Sequence, residues 1–327
     1  MSEAQSPVGF VAIGRNEGER FKRCLLSLKK NGECVVYVDS GSTDDSVSFA
    51  NEQSAAVVSL NADEPFTAAR ARNAGFDALV ERWPDVEKVM FIDGDCELVD
   101  SFVNDAVSVL DGDAAIGIVT GRCRERDPDA SAYNRLCEIE WHGPVGEITA
   151  CGGIFITRVD VFREAGGFRA DVIAAEDDDF CVRVGKKGKR IVRIDRDMCL
   201  HDADMHRFGQ WWRRMERAGH AFAQLGELHD GYFRSERRRA WGWGLILPAL
   251  TIIGAPFTNG FSFFLLLLYP ASFLRTRRGL MKSGEAPEHA SLGAAFLTLA
   301  KFPNLIGIIK YKWKKLTRSK VGIVEYK

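Results

Sequence analysis

Over residues 8–95 the sequence alternates between apolar runs of strand length and segments of helical spacing, and no other feature constrains the fold as tightly. The run 8–14 is followed by Phe21, Cys24, Leu25 and Leu28, whose spacing marks a helix with one buried face. Next comes Cys34-Val35-Val36-Tyr37-Val38-Asp39, a β-branched strand ending in an acid. Ser40-Gly41-Ser42-Thr43-Asp44-Asp45 then supplies a tight turn and a helix start. A third strand over 56–60 precedes a helix over 67–80, after which Val89-Met90-Phe91-Ile92 runs into Asp93-Gly94-Asp95. The order β-α-β-α-β-α-β predicts an α/β fold with a doubly wound, mostly parallel sheet sandwiched by helices. Such sheets hold ligands at the carboxyl ends of their strands, so Asp39 and Asp93 are expected on one edge.

In Asp93-Gly94-Asp95 two carboxylates flank a residue without a side chain, so both can turn toward one point. Like charges there call for a counter-ion. Mg2+ or Mn2+ suits carboxylate oxygens and keeps positions open for a diphosphate. Asp-Gly is also the commonest hairpin-turn pair, and the triplet alone leaves both readings open. Neither a Gly-rich Lys-Ser/Thr phosphate loop nor Gly-x-Gly-x-x-Gly is present.

Further on, a helix over 99–110 and a strand over 117–121 lead to the Gly-led strand 151–156 and a turn at Gly166-Gly167-Phe168. Glu176-Asp177-Asp178-Asp179 then opens a helix, and a strand over 190–194 follows. Acids in a first helical turn stabilise the macrodipole by about 0.3–1 kcal/mol each. Four in a row exceed what capping needs, because like charges crowd one another. Trp141 suits an acceptor pocket or a core equally.

The motifs Ile13-Gly14-Arg15-Asn16-Glu17, Val38-Asp39-Ser40-Gly41-Ser42-Thr43-Asp44, Ala71-Arg72-Asn73-Ala74-Gly75 and Asp93-Gly94-Asp95, in that order, resemble the donor half of family 2 glycosyltransferases of the GT-A fold. The resemblance extends over residues 8–215 and implies inverting, metal-assisted sugar transfer from a nucleotide-diphospho-sugar, UDP-sugar favoured, to a hydroxyl. It implies nucleotide contacts from Ile13, Arg15, Glu17, Asp39, Arg72, Asn73 and Asp93. Asp95 becomes the direct ligand of Mn2+ or Mg2+, Asp93 lies nearer the ribose or a metal-bound water, and His201 adds a ligand. Asp177 becomes the general base, with Glu176 as runner-up or orienting partner.

Each assignment has a plainer alternative. Asp39 suits a helix start, Arg72 a solvated face, the acids a helix N-terminus and His201 a structural histidine. Arg72 and Asn73 point about 100° apart on a helix, so only one faces the nucleotide squarely and the other can pin the helix to a strand end. Gln210-Trp211-Trp212-Arg213-Arg214 departs from the Gln-x-x-Arg-Trp order of processive synthases, so the expected transfer is non-processive. That segment begins a helix over 208–228.

Charge divides the chain. Residues 275–327 hold twelve Lys/Arg against three Asp/Glu, and 241–274 hold no charge, which leaves residues 1–240 at −10 within a total of −1. The uncharged run of 34 residues exceeds the roughly 20 of one membrane span. Pro248, Gly254, Pro256, Asn259 and Gly260 break it into two short pieces between Arg237-Arg238-Arg239 and Arg275-Arg277-Arg278. The basic flanks predict a re-entrant or helical hairpin dipping into the membrane from its cytoplasmic face. Two full spans or a soluble core are the alternatives. The broken apolar stretch 292–309 and the lysines beyond it predict an interfacial helix on anionic lipid. No nucleic-acid motif accompanies those lysines. Eight scattered cysteines, with no apolar leader ahead of Val8, predict free thiols in a reducing cytoplasm.

The expected organisation is a catalytic domain over 1–235, with a donor half at 8–110 and an acceptor half at 111–235, followed by membrane-associated helices over 236–327. The expected acceptor is a lipid-linked or cell-envelope glycan. A nucleotidyltransferase making a nucleotide sugar is one alternative, for which Gly14-Arg15-Asn16-Glu17-Gly18 is a poor phosphate loop. A catalytically silent membrane scaffold is the other, and nucleotide binding without turnover would mark it.

Overall fold

Alternate residues of the first strand face opposite ways, and each set finds its own helical layer. The computed structural model describes residues 7–317. In chain order these form β1 (Val8–Gly14), α1 (Glu19–Asn31), β2 (Val35–Asp39), α2 (Ser46–Glu52), β3 (Ala56–Ser59), α3 (Ala68–Arg82), β4 (Lys88–Asp93), β5 (Cys96–Leu98), α4 (Phe102–Gly112) and β6 (Ile116–Glu125). There follow α5 (Ala132–Trp141), β7 (Gly146–Ile148), β8 (Phe155–Arg158), α6 (Val159–Glu164), α7 (Glu176–Lys186), β9 (Arg190–His201) and α8 (Phe208–Leu228). The C-terminal helices are α9 (Arg234–Trp241), α10 (Leu247–Gly254), α11 (Leu268–Lys282), α12 (Pro287–Leu299) and α13 (Lys301–Leu316).

The chain divides into two units, residues 1–127 with 141–203, and residues 128–140 with 204–327. The first unit holds a single sheet in the order β3-β2-β1-β4-β8-β6-β9-β5, with β7 on β9. Strands β1 to β4 are mutually parallel where they pair, whereas β8 runs antiparallel to both β4 and β6. Phe10, Ala12, Tyr37, Met90 and Ile92 meet α1 and α4 on one face. Val11, Val38, Val89 and Phe91 meet α3, α6 and α7 on the other. This period-two division, with both faces covered, is why the strands read as continuous apolar runs.

Several boundaries differ from the sequence expectation; the strand expected over 117–121 runs on to Glu125 and the helix expected over 99–110 begins at Phe102. The strand expected over 151–156 begins at Phe155, because Gly152 has φ +74 and Gly153 lies against Arg72, where a Cβ would come 2.3 Å from a guanidinium nitrogen. The strand expected over 190–194 continues to His201, pairing with β7 in its first half and β5 in its second.

In the second unit α8 and α13 cross with their backbones nearly touching. A Cβ on Gly307 would lie 2.0 Å from the Glu216 carbonyl, and one on Gly219 equally near that of Asn304. The stretch expected to be broken at Lys301 and Pro303 is helical on both sides of Ala300, and Pro303 falls in the first turn of α13, where its missing N–H is tolerated. One face of α13 is buried, with Pro303, Asn304, Leu305, Gly307 and Ile308, whereas Trp313 and Leu316 are 66% and 79% exposed. Pro287–Leu316 is apolar and long enough for a membrane span by composition, yet 44% of its most apolar window is buried.

A helical hairpin occupies the uncharged run. Its first arm continues α9 through a π-turn at Gly242–Ile246 into α10, and its second runs from a 3-10 turn at Phe261–Leu267 into α11. Ser262 Oγ donates to the Thr251 carbonyl at 2.7 Å near the tip, and the Tyr269 hydroxyl donates to the Trp243 carbonyl at 2.5 Å near the base. Phe257, Phe261, Phe264 and Leu267 are each more than 60% exposed.

Candidate active site

Strand register assembles the site. Gly14 lies beside Asp39 and Ile13 beside Asp93, so the ends of β1, β2 and β4 share one edge as expected. The Ile13 carbonyl accepts from the Gly94 N–H at 2.8 Å, which holds Asp93-Gly94-Asp95 against that edge. Cys96 in β5 and Glu125 in β6 both pair with His201 of β9, which brings His201 to Asp95.

His201 Nε2 is 3.5 Å from Asp95 Oδ2, and its Nδ1 is 3.6 Å from Glu125 Oε2. The Trp141 ring meets the His201 ring edge-on at 4.5 Å. Glu125 has no signature in the sequence; only the register reveals it behind the histidine, where it also accepts from the Ala203 N–H. The Glu125 carboxylate beside Nδ1 places negative charge behind the ring, while Nε2 faces Asp95.

Donor atoms of Asp95, Cys96 and His201 lie within 4.8 Å of one another. Burial pushes the Cys96 thiol well above its usual range. Asp93 beside them is raised by burial and by the Asp95 charge, and lowered by Arg72. A site that crowds carboxylates and adds an imidazole fits a divalent cation such as Mn2+ or Mg2+.

Arg72 joins this cluster to α7. It is 2% exposed, donating to Asp93 Oδ1 at 2.7 Å and to Glu176 Oε1 at 2.5 Å. The expected nucleotide arm is therefore a buried strut between two carboxylates. Asn73 uses both ends of its amide on Phe168, donating to its carbonyl at 2.7 Å and accepting from its N–H at 2.8 Å. It pins α3 to the Gly166-Gly167-Phe168 turn, the other of the two roles open to this pair.

The four acids of α7 divide their work. Ala175, in the left-handed conformation at φ 59, turns the chain into the helix. Glu176 meets Arg72, and fully buried Asp179 pairs with Arg183 at 2.8 Å. Asp177 is partly buried; burial, Asp178 and Glu176 push its carboxyl up to about 8, against the pull of Arg72.

Asp39 holds the turn after β2. It accepts from the N–H groups of Gly41 and Ser42 and from the Tyr37 hydroxyl. Asn16, at φ 54, links that turn to the β1 loop by accepting from the Thr43 N–H at 2.7 Å. Arg15 lies over the Phe66 ring at 5.5 Å, and Glu17 pairs with Arg20 at 2.7 Å.

Residues 11–166 match the family described as Glycosyl transferase family 2. Over 139 residues, 42% of this chain, the sequence is 27% identical to a TPR repeat-containing protein of Synechococcus elongatus; the match spans about a third (32%) of that relative's length. The structure is similar to a mannosyltransferase of Pyrobaculum calidifontis in complex with GDP-Man and Mn2+, at a TM-score of 0.65 and 20% identity, over 96% of this chain and 89% of the other. It is also similar to glucosyl-3-phosphoglycerate synthase of Mycobacterium tuberculosis in complex with Mg2+ and UDP, at 0.51 and 19%, over 69% and 80% of the two chains. At these identities the structural likeness is one of fold, the GT-A fold. Residues 11–166 therefore form a domain of the family 2 glycosyltransferases.

Proposed function

We propose that the protein transfers a sugar from a nucleotide-diphospho-sugar to an acceptor hydroxyl with inversion, one residue per encounter, with Asp177 as general base. The observation that carries this reading is Asp177 itself: its carboxyl is pushed up to about 8, and its neighbour Glu176 is tied through Arg72 to Asp93. A base works best with a pKa near the operating pH, which balances its strength against the fraction ionised.

In the proposed step Asp177 takes the acceptor's hydroxyl proton and the freed oxygen bonds the anomeric carbon. The bond from that carbon to the diphosphate breaks on the opposite face, and the nucleoside diphosphate leaves. Arg72 keeps Glu176 and Asp93 in place, so the base and the donor edge move as one body. Asp95 and His201, with Asp93 beside them, would hold Mn2+ or Mg2+. The cation, when bound, supplies positive charge for the leaving diphosphate. UDP- and GDP-sugars are the donors to test first, because the two similar structures were solved with UDP and with GDP-Man.

The same proposal sets this activity at a bilayer, a reading that the exposed apolar hairpin supports. Residues 241–254 give its first arm a rise of about 21 Å, short of the roughly 30 Å hydrocarbon core, so the hairpin enters without crossing. Basic residues at both feet favour the cytoplasmic side for them, and the acceptor in this proposal is a lipid-linked or envelope glycan presented there.

The test is release of nucleoside diphosphate from UDP-Glc and GDP-Man with Mn2+, for the parent and Asp177→Asn. One donor should be turned over by the parent, and the variant should lose on the order of 10²–10⁴-fold in rate while binding the nucleotide as before. Undiminished turnover by the variant would remove Asp177 from the chemistry.

A further inference from the structure

A cavity of about 410 Å³ lies wholly within the second unit, at the foot of the hairpin and apart from the carboxylate cluster. That volume falls in the range of small-ligand sites, roughly 300–1,000 Å³. Its rim carries Arg234, Arg237, Arg238 and Lys312, and its apolar wall includes Trp241 and Ile246. Glu227, the acid that also lines it, accepts from the Tyr311 hydroxyl at 3.0 Å and from Lys315 at 2.5 Å. The rim is left strongly positive.

Its cations are weakly engaged. Arg237 Nε is buried with no hydrogen-bond partner among the described residues, and one terminal nitrogen makes a long 3.4 Å bond to the Tyr232 carbonyl. Lys312 stands over the Trp241 ring at 5.7 Å. Arg234 pairs with a fully exposed Asp230 at 3.6 Å. From this rim an apolar stripe leads up the hairpin: Ile246, Leu250 and Ile253, spaced for one helical face, are 51%, 56% and 66% exposed.

We propose that this cavity docks one anionic membrane lipid, its phosphate headgroup among Arg237, Arg238 and Lys312 and its chains along Ile246, Leu250 and Ile253. Cationic groups beside an apolar wall and an exposed apolar stripe match an amphiphile's two ends. A free phosphate would use only the rim. The inference deepens the membrane reading of the hairpin and rests on it.

The experiment titrates the full chain, held in uncharged detergent, with dihexanoyl phosphatidylglycerol and with glycerol phosphate, its headgroup without chains. One saturable lipid site is expected, weakened about tenfold or more by R237Q/R238Q and in the same direction by Lys312→Gln on a different helix. Arg275→Gln with Arg278→Gln removes equal charge outside the cavity and should leave the site unchanged. Glycerol phosphate should bind at least about tenfold more weakly, for want of chain burial. Equal losses in the two arginine pairs, equal binding of glycerol phosphate, or no saturable site would overturn the cavity inference. Flotation of the parent on phosphatidylcholine vesicles separates the two readings. A parent that floats yet shows no lipid site loses only the cavity, whereas one that does not float loses the membrane reading as well.

Discussion

Arg72 sets the charge balance around the proposed base. Its guanidinium lowers the Asp177 carboxyl against burial and two neighbouring acids, and it is the buried partner of both Asp93 and Glu176. With Asp177 ionising at about 8, kcat/KM should rise with pH through that region in the parent. Arg72→Gln removes a nearby cation that opposes the shift, so the limb should move to higher pH. Breaking a buried pair should also destabilise the variant by about 3–5 kcal/mol. Rate profiles together with thermal melts check both, and a limb that stays in place would disconnect Arg72 from the base. The same shift has a stability counterpart. Asp177 loses its proton near the ordinary carboxylate range when unfolded but only at about 8 when folded, so between those values the folded chain holds more protons. Stability therefore falls as pH rises across that window. Of these roles the sequence revealed the acids but not their division. Asp179 belongs to Arg183 and Asn73 to Phe168, a partner 95 positions away that no local pattern announces.

At the scale of elements, legibility tracked burial. Strands β1, β2 and β4 are covered on both faces and announce themselves as apolar runs, and α8 matches its expected 208–228. The three-residue β5 and β7 were invisible because so short a strand carries no period, yet β5 is what aligns Asp95 with His201. Helix α13 shows the same limit: its apolar residues suit a lipid surface or a protein neighbour equally well in sequence, and the structure packs one face of it on α8. That contact yields a prediction. Gly307 leaves no room for a side chain, since a Cβ would fall 2.0 Å from the Glu216 carbonyl, which is backbone and cannot swing aside. Gly307→Val should force the two helices apart and cost about 1–3 kcal/mol or more. Hydrogen exchange read separately for the two units should show protection lost in α8 and α13, with the sheet unaffected. Parent-like protection in both helices would mean that the close crossing contributes little.

At the scale of the whole molecule, an acidic catalytic part and a basic C-terminal part sit on one chain because, in the proposed reading, they meet different surroundings. The carboxylates face a cation and a diphosphate; the arginines and lysines face lipid phosphate. The hairpin between these basic flanks exposes Phe261, Phe264 and Leu267 at 70%, 64% and 61%, more contiguous apolar surface than a helix pair in water ordinarily tolerates. Burying each such side chain in lipid is worth about 1.5–3 kcal/mol. A triple change of Phe261→Ser, Phe264→Ser and Leu267→Ser should therefore lower partition into neutral phosphatidylcholine vesicles by about tenfold at the least. Nucleotide binding should be unchanged, because the substitutions lie in the second unit and the carboxylate cluster lies in the first. Transfer to a soluble acceptor should likewise survive, while transfer to a bilayer-borne acceptor should fall with the partition. If the triple variant keeps the parent's affinity for vesicles, the hairpin is not the membrane anchor. Those three side chains must then be covered by something other than lipid.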